Sequence, residues 1–260
     1  MKDESLRSVR VTLDNATLFY DYIKDNYAEY LFFRVDYAQY PENTEIFMVL
    51  DNKNAIQGMV LNWEDQRVQL RGSISSLEFL LKDKNYTPIS VTGFDQHKRL
   101  IEKFFPEYKK EIVLYRMGLK KNNQKDFEKY PYIILTEIHR EEIVSLMRIA
   151  DPLFWGSRNP EDIIIDDNNI WYGIREQGKL ICITNLWKYQ NIGYITIVGT
   201  HRDNWNKGYA SSLISSTLKE LFKDKEQCFI MVRVENAPAV HTYTKLGFSI
   251  CNMHFSYERL

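Results

Sequence analysis

The chain has almost no net charge: 34 Lys and Arg against 35 Asp and Glu leave a formal value of −1. That balance removes the electrostatic basis for general binding to nucleic acid or to an anionic membrane surface. Cysteine is scarce, with only Cys182, Cys228 and Cys251. The odd count, with no Cys-x-x-Cys or His-x-x-x-His spacing, argues against a disulfide framework and a structural metal. Cys182 and Cys228 sit inside apolar strand-like runs, as reduced thiols of a cytoplasmic protein do. No run approaches the roughly 20 apolar residues that cross a bilayer. Met1-Lys2-Asp3-Glu4-Ser5 is charged and has no apolar core of signal-peptide length. The expectation is a cytoplasmic protein with no metal, membrane or nucleic-acid partner.

What is present is a folded α/β pattern. The 260 residues, 44% hydrophobic, suffice for one large domain or two small ones. Residues 136–150 read as a helix stopped by Asp151-Pro152. Residues 171–176 and 179–187 read as a hairpin turning at Gln177-Gly178. A strand to Thr200, a helix to about Phe222, a strand to Val234, a short helix and two final strands follow. The first half shows a fainter version of the same order. Apolar residues from Leu13 to Leu31 recur at helical spacing over 13–33. Strands are expected at 44–50, 55–61 and 67–70, then a helix over 73–81 capped by Ser73 or Ser75. A strand at 88–92, a helix at 97–104 and a strand at 110–119 complete it. Asn122-Asn123-Gln124-Lys125-Asp126 reads as a polar linker. The expected domains are therefore 1–121 and 127–260, with an unrelated α/β domain as the alternative for the first.

The chemistry concentrates in two stretches. Tyr194 to Thr200 is a strand, and Trp205-Asn206-Lys207-Gly208-Tyr209-Ala210-Ser211 opens the next helix. A helix start leaves backbone N–H groups unpaired beside the positive end of the dipole, which suits phosphate. Gly208 permits close approach to the backbone, Ala210 keeps the first turn uncrowded and Lys207 adds charge. The second stretch is a strand from Ile230, then Asn236-Ala237-Pro238-Ala239, a short helix through Tyr243, and Gly247-Phe248.

Together these stretches resemble the GNAT superfamily of acyl-CoA-dependent N-acyltransferases. The family pattern Val-x-Thr, then Arg/Gln-x-x-Gly-x-Gly/Ala, is matched by Val198, Thr200, Gly208 and Ala210. The pattern Asn-x-x-Ala-x-x-x-Tyr-x-x-x-Gly-Phe is matched by Asn236, Ala239, Tyr243, Gly247 and Phe248. The resemblance covers roughly residues 133–260. It implies a mixed-sheet α/β fold built as two tandem GNAT-like halves, the first degenerate. It also implies an acetyltransferase that uses acetyl-CoA and a small-molecule or amino-acid-like amine acceptor. By the same resemblance, Ile197, Val198 and Thr200 line the pantetheine gap. Asn206, Lys207, Gly208, Tyr209, Ala210 and Ser211 hold the pyrophosphate, Asn236 meets the pantetheine arm and Tyr243 protonates the departing thiolate. Trp205 departs from the pattern, since it stands where the family has Arg or Gln.

Read by themselves, these residues have other roles. Tyr243 also suits a core aromatic, Asn236 a helix cap, Lys207 a solvated surface charge and Trp205 a packing residue. The strand 193–199 holds no carboxylate, so the general base falls to Glu235, His201, His241 or ordered water. Trp155, Trp171, Tyr172, Trp187 and Tyr189 either line an acceptor pocket or pack the interface between the two halves. Arg71-Gly72 at the start of the 73–81 helix is a weak anion signal, with a structural role as the stronger reading. A non-catalytic acyl-CoA-binding regulator and an N-acyltransferase for longer acyl chains are the competing functions.

Overall fold

The computed structural model describes residues 6–259. The charged segment 1–5, which carries the reading of a start without a signal peptide, lies outside them. In chain order the elements are β1 (Arg7–Arg10), α1 (Ala16–Ile23), α2 (Tyr27–Gln39), β2 (Thr44–Leu50), β3 (Ile56–Trp63), β4 (Arg67–Gly72), α3 (Ile74–Leu81) and β5 (Ser90–Gly93). Then come α4 (Lys98–Phe104), β6 (Tyr108–Lys120), β7 (Ile133–Leu135), α5 (Arg140–Ala150), α6 (Pro152–Trp155), β8 (Asn169–Glu176), β9 (Lys179–Tyr189) and β10 (Ile192–Thr200). The last are α7 (Tyr209–Leu221), β11 (Gln227–Arg233), α8 (Ala237–Lys245) and β12 (Ser249–Arg259). No helix among the described residues is long and apolar enough to cross a membrane.

The described residues form two compact units: 6–115 with 252–259, and 116–251. The linear halves 1–121 and 127–260 therefore differ from the structural units, which share out β6 and β12. In the first unit β1, β2, β3 and β4 pair antiparallel in sequence, β4 pairs β5 in parallel, and β12 closes on β5 through Phe255–Glu258. Alternation along the strands feeds two cores. Val49, Val60, Val68 and Leu70 pack with Leu77 and Leu81 of α3 and with Phe255 and Tyr257 of β12. Ile46, Met48, Met59 and Leu61 pack with Phe19 and Ile23 of α1 and Phe33 of α2.

Two expectations need correction here. The helix read over 13–33 is two helices, because Asn26 caps a new one: its Oδ1 accepts the Glu29 N–H at 3.1 Å. The apolar spacing runs through this break and hides it. The two final strands are one, β12, since 249–259 contains no turn residue strong enough to divide it. Of the two serine caps, Ser73 is the one used, its Oγ accepting the Ser76 N–H at 3.3 Å.

In the second unit β7, β8, β9 and β10 pair antiparallel and β11 joins β10 in parallel. The hairpin turns where expected, with Gln177 at φ 49° and Gly178 at φ 80°. Two successive left-handed residues match the twist of the flanking strands. On one face α5 packs Ile143, Val144 and Met147 onto Leu135, Trp171 and Ile183. The other face meets α7, where Leu221 and Leu186 crowd the place a Cβ on Gly193 would take. The polar segment after β6 is fastened to α7: Ser215 Oγ accepts the Phe127 N–H, and Ser212 Oγ accepts those of Lys129 and Tyr130.

Gly247 ends α8 at φ 104°, and a Cβ there would stand 2.2 Å from the Asn123 carbonyl oxygen. Gly178 has a similar φ of 80° but nothing within 4 Å. Gly178→Ala should therefore cost only the left-handed strain of about 1–2 kcal/mol. Gly247→Ala should cost clearly more. Urea midpoints at unchanged m-value check the ranking.

Candidate active site

The site begins where two strands stop pairing. Only Ile192–Ile195 of β10 pair with Gln227–Ile230 of β11, although both strands continue, to Thr200 and to Arg233. At the point of parting β10 carries a bulge. Ile195 lies opposite Leu186 and Ile197 opposite Asn185, so Thr196 is the extra residue. A bulge bends its strand and breaks the ladder. Past it, the His201 N–H donates to Ile181 O on β9 at 2.8 Å. The two-residue alternation then turns the amides of Val198 and Thr200 to the unpaired edge. The Thr200 carbonyl agrees, accepting the Trp205 indole N–H at 2.9 Å. The side chain of Ile197 packs on the α5 core, whereas Val198 and Thr200 face the α7 side.

The loop from Thr200 to α7 is held by groups distant in sequence. Glu176, at the end of β8, accepts from Asn204 Nδ2 at 2.9 Å and from the Tyr209 hydroxyl at 2.8 Å. The carboxylate pushes the Tyr209 phenol up to about 12. Arg202 Nε donates to Ile149 O at 3.2 Å. Asn206 at φ 61° and Gly208 at φ 86° bring the chain round in the left-handed region. A Cβ on Gly208 would meet nothing within 4 Å, so open space lies against the backbone there. Ser212 N–H is the first to close on a helical carbonyl, Gly208 O at 3.0 Å. The amides of Gly208, Tyr209, Ala210 and Ser211 are left as donors at the positive helix end. Lys207 is exposed. Trp205, 53% exposed, ties the loop to the end of β10 through its indole N–H.

On the α7 side Tyr243 is 6% exposed and its hydroxyl has no hydrogen bond among the described residues. Burial first, and then Cys182, push its phenol well above the usual value. Cys182 Sγ lies 3.2 Å from Thr200 Oγ1, and burial raises the thiol to about 12. Cys182 is thus a neutral thiol near pH 7 and no nucleophile. Asn236 performs the cap that its position before Ala237-Pro238 implies, accepting the Ala239 N–H at 3.2 Å.

The α5 side carries the groups that sequence reasoning missed. Thr196, exposed by the bulge, donates through Oγ1 to Oδ1 of Asn185, which is 4% exposed. Asp151 caps α6 through Phe154 N–H at 3.2 Å and pairs with Arg233 at the end of β11. Asp151-Pro152 was legible as a helix stop, but its ion partner lies 82 residues away. Glu235 is 3.9 Å from Arg233, and His201 Nδ1 already accepts the Asp203 N–H. The aromatic group divides between the faces. Trp171 and Trp155 join the α5 core and Trp187 stacks on Tyr189. Tyr172 instead meets Tyr132 on the α7 side.

The first unit holds a cavity of about 950 Å³ at the start of α3, lined by Tyr22, Glu29, Tyr30, Ser73 and Glu78 among others. Two carboxylates in its wall oppose a diphosphate. Arg71, the basic residue of the weak anion signal, is wholly buried. Its Nη1 donates to Leu70 O and its Nε to Glu29 O, and it stacks 4.5 Å over Phe94. It is a structural arginine, so the motif-bearing second unit is the better candidate.

Residues 171–256 match the family model for FR47-like proteins. No curated protein matches the chain. Solved structures match in fold. A Drosophila protein aligns with a TM-score of 0.69 at 11% identity, over 98% of this chain and 99% of that one. A tandem GNAT protein from the clavulanic acid biosynthesis pathway gives 0.57 at 9% identity, over 98% and 99%. A GCN5-related N-acetyltransferase from Sphaerobacter thermophilus gives 0.55 at 12% identity, over 82% and 79%. The chain has the mixed α/β GNAT fold, shared along nearly its whole length with a tandem GNAT protein.

Removing the Glu176 anchor tests the loop. Glu176→Ala should speed hydrogen exchange at residues 203–210 and lower stability. In the wild type the Tyr209 phenol is raised in the folded state, so its contribution is full below pH 10 and is lost between pH 10 and about 12. Tyr209→Phe should flatten stability across that window, as read by chemical denaturation at stepped pH.

Proposed function

We propose that the protein is an acyl-CoA-dependent N-acetyltransferase that transfers acetyl from acetyl-CoA directly to an amine, with residues 127–260 carrying the reaction. The observation that carries this reading is the open edge of β10. Its Val198 and Thr200 amides face away from β9 past the last pair with β11. The residues fit the donor molecule. The free amides of Gly208 to Ser211 and the open space at Gly208 suit a pyrophosphate. Asn206 and Lys207 flank it. The loop amides bind the donor, Thr200 and Ile197 flank the arm, and Asn236 offers its Nδ2 while Oδ1 caps α8.

Acetyl-CoA supplies an activated acyl group on a thiol leaving group. The Val198 N–H is turned to the edge where negative charge develops on the carbonyl oxygen. The Tyr243 hydroxyl is protonated and has no hydrogen bond among the described residues, and so is available to give its proton to the leaving sulfur. The neutral Cys182 thiol supports direct attack by the amine over an acyl-cysteine route. Three free cysteines, two of them buried, support a cytoplasmic setting.

Millimolar acetyl-CoA should raise the melting temperature of the protein, and an amine panel should elicit thiol release. Tyr243→Phe should slow release by about 10- to 1,000-fold, roughly 1.4–4 kcal/mol, with acetyl-CoA binding unchanged. Binding with no thiol release from any amine would favour the regulatory reading. A larger response to longer acyl-CoA would favour a different donor.

A further inference from the structure

We propose that the Thr196 hydroxyl, oriented by Asn185, receives the N–H of the attacking amine, so that the site selects acceptors whose nitrogen is uncharged near neutral pH. The inference rests on the acyl-transfer reading above. Thr196 is the first residue of β10 beyond its last pair with β11, and the bulge exposes it. Its single proton goes to Asn185 Oδ1. Asn185 is held the right way round because its Nδ2 donates to Ile170 O at 3.4 Å. A hydroxyl has one proton and two acceptor positions. With the proton engaged inward, Thr196 offers lone pairs to the open edge and orients an amine through its N–H.

An acceptor of this kind aligns an amine but cannot hold its proton. Several charged groups on the packed elements are engaged by partners, while Glu141 of α5 and His241 of α8 are exposed to solvent. On α5, Glu142 is bound by Arg175 at 2.7 and 2.8 Å, and Arg148 donates to Arg158 O. Asp151, at the end of α5, accepts from Phe154 N–H and from Arg233. Glu235 lies beside Arg233 past the end of β11, and His201 is occupied by Asp203. On the α7 side Tyr243 and Cys182 are kept protonated by burial. The N–C bond therefore forms as the C–S bond breaks, the nitrogen proton passes to water, and Tyr243 protonates the sulfur and is reprotonated from solvent. A lysine-like amine of pKa about 10.4 is neutral only in roughly one molecule in 2,500 at pH 7, and an α-amine of pKa about 8 in roughly one in ten. Weakly basic amines, namely α-amino compounds, arylamines and hydroxylamines, are the class this site fits.

The test follows acetyl-CoA thiol release against pH with hydroxylamine, 4-methoxyaniline and n-butylamine. The midpoint of the acidic limb should move with the basicity of each amine. Thr196→Val should lower amine-dependent release by about 10-fold or more at unchanged acetyl-CoA KM, while Thr196→Ser keeps most of it. Asn185→Leu should lower kcat/KM for the amine without altering acetyl-CoA KM. A midpoint common to all three amines, or full activity in Thr196→Val, would overturn the inference and leave the acyl-transfer reading standing. Acetyl-CoA binding with no amine-dependent release in the wild type would overturn both.

Discussion

Parallel pairing between β10 and β11 lasts for four residues and then stops. Strands that part in mid-sheet leave amide and carbonyl groups without ladder partners, and such groups must be satisfied by solvent, side chain or ligand. The rest of the second unit is arranged around that opening. The bulge at Thr196 starts it. Trp205 takes the Thr200 carbonyl at its far end, and Glu176 holds the following loop. The positive end of α7 lies at the exit. Without the parting, Val198 and Thr200 would be ordinary sheet residues, and the free amides of α7 would only mark a helix start.

The parting also separates the chemistry into two faces. Tyr243, Cys182 and Thr200 lie on the α7 side, where burial keeps protons on the phenol and the thiol. Thr196, Asn185 and the Asp151–Arg233 pair lie on the α5 side, where the groups are neutral or mutually paired. In the proposed acyl transfer, a thiol leaving on one side and an amine entering on the other would not compete for the same donors. This division follows from strand alternation: Ile183 and Asn185 point one way and Cys182 and Thr184 the other.

The sequence showed best what is local in the chain. The helix-ending Gly247, the Asn236 cap and the Gln177-Gly178 turn each depend on a few neighbouring residues, and all stand where expected. Much of the order of strands and helices was legible for the same reason, although β1, β7 and α6 were not. Contacts over long separations were not. Glu176 reaches Tyr209 across 33 residues, and Asp151 reaches Arg233 across 82. Asn185 and Thr196 meet only because a one-residue bulge resets the register, and periodicity alone does not locate that bulge. The break between α1 and α2 was hidden because helical spacing continues through it, and Asn26 alone marked it. The sharing of β6 and β12 between units depends on tertiary pairing that no local signal encodes. Trp205 looked like a defect in the phosphate loop. Its indole instead fastens that loop to the end of β10.

The most direct test of the account is backbone amide hydrogen exchange with and without acetyl-CoA. Ligand should slow exchange at Val198 and Thr200 and at Gly208 to Ser211, the edge and helix-start donors that have no partner among the described residues. Unchanged exchange at those amides, or protection centred on residues 72–76 of the first unit, would contradict it.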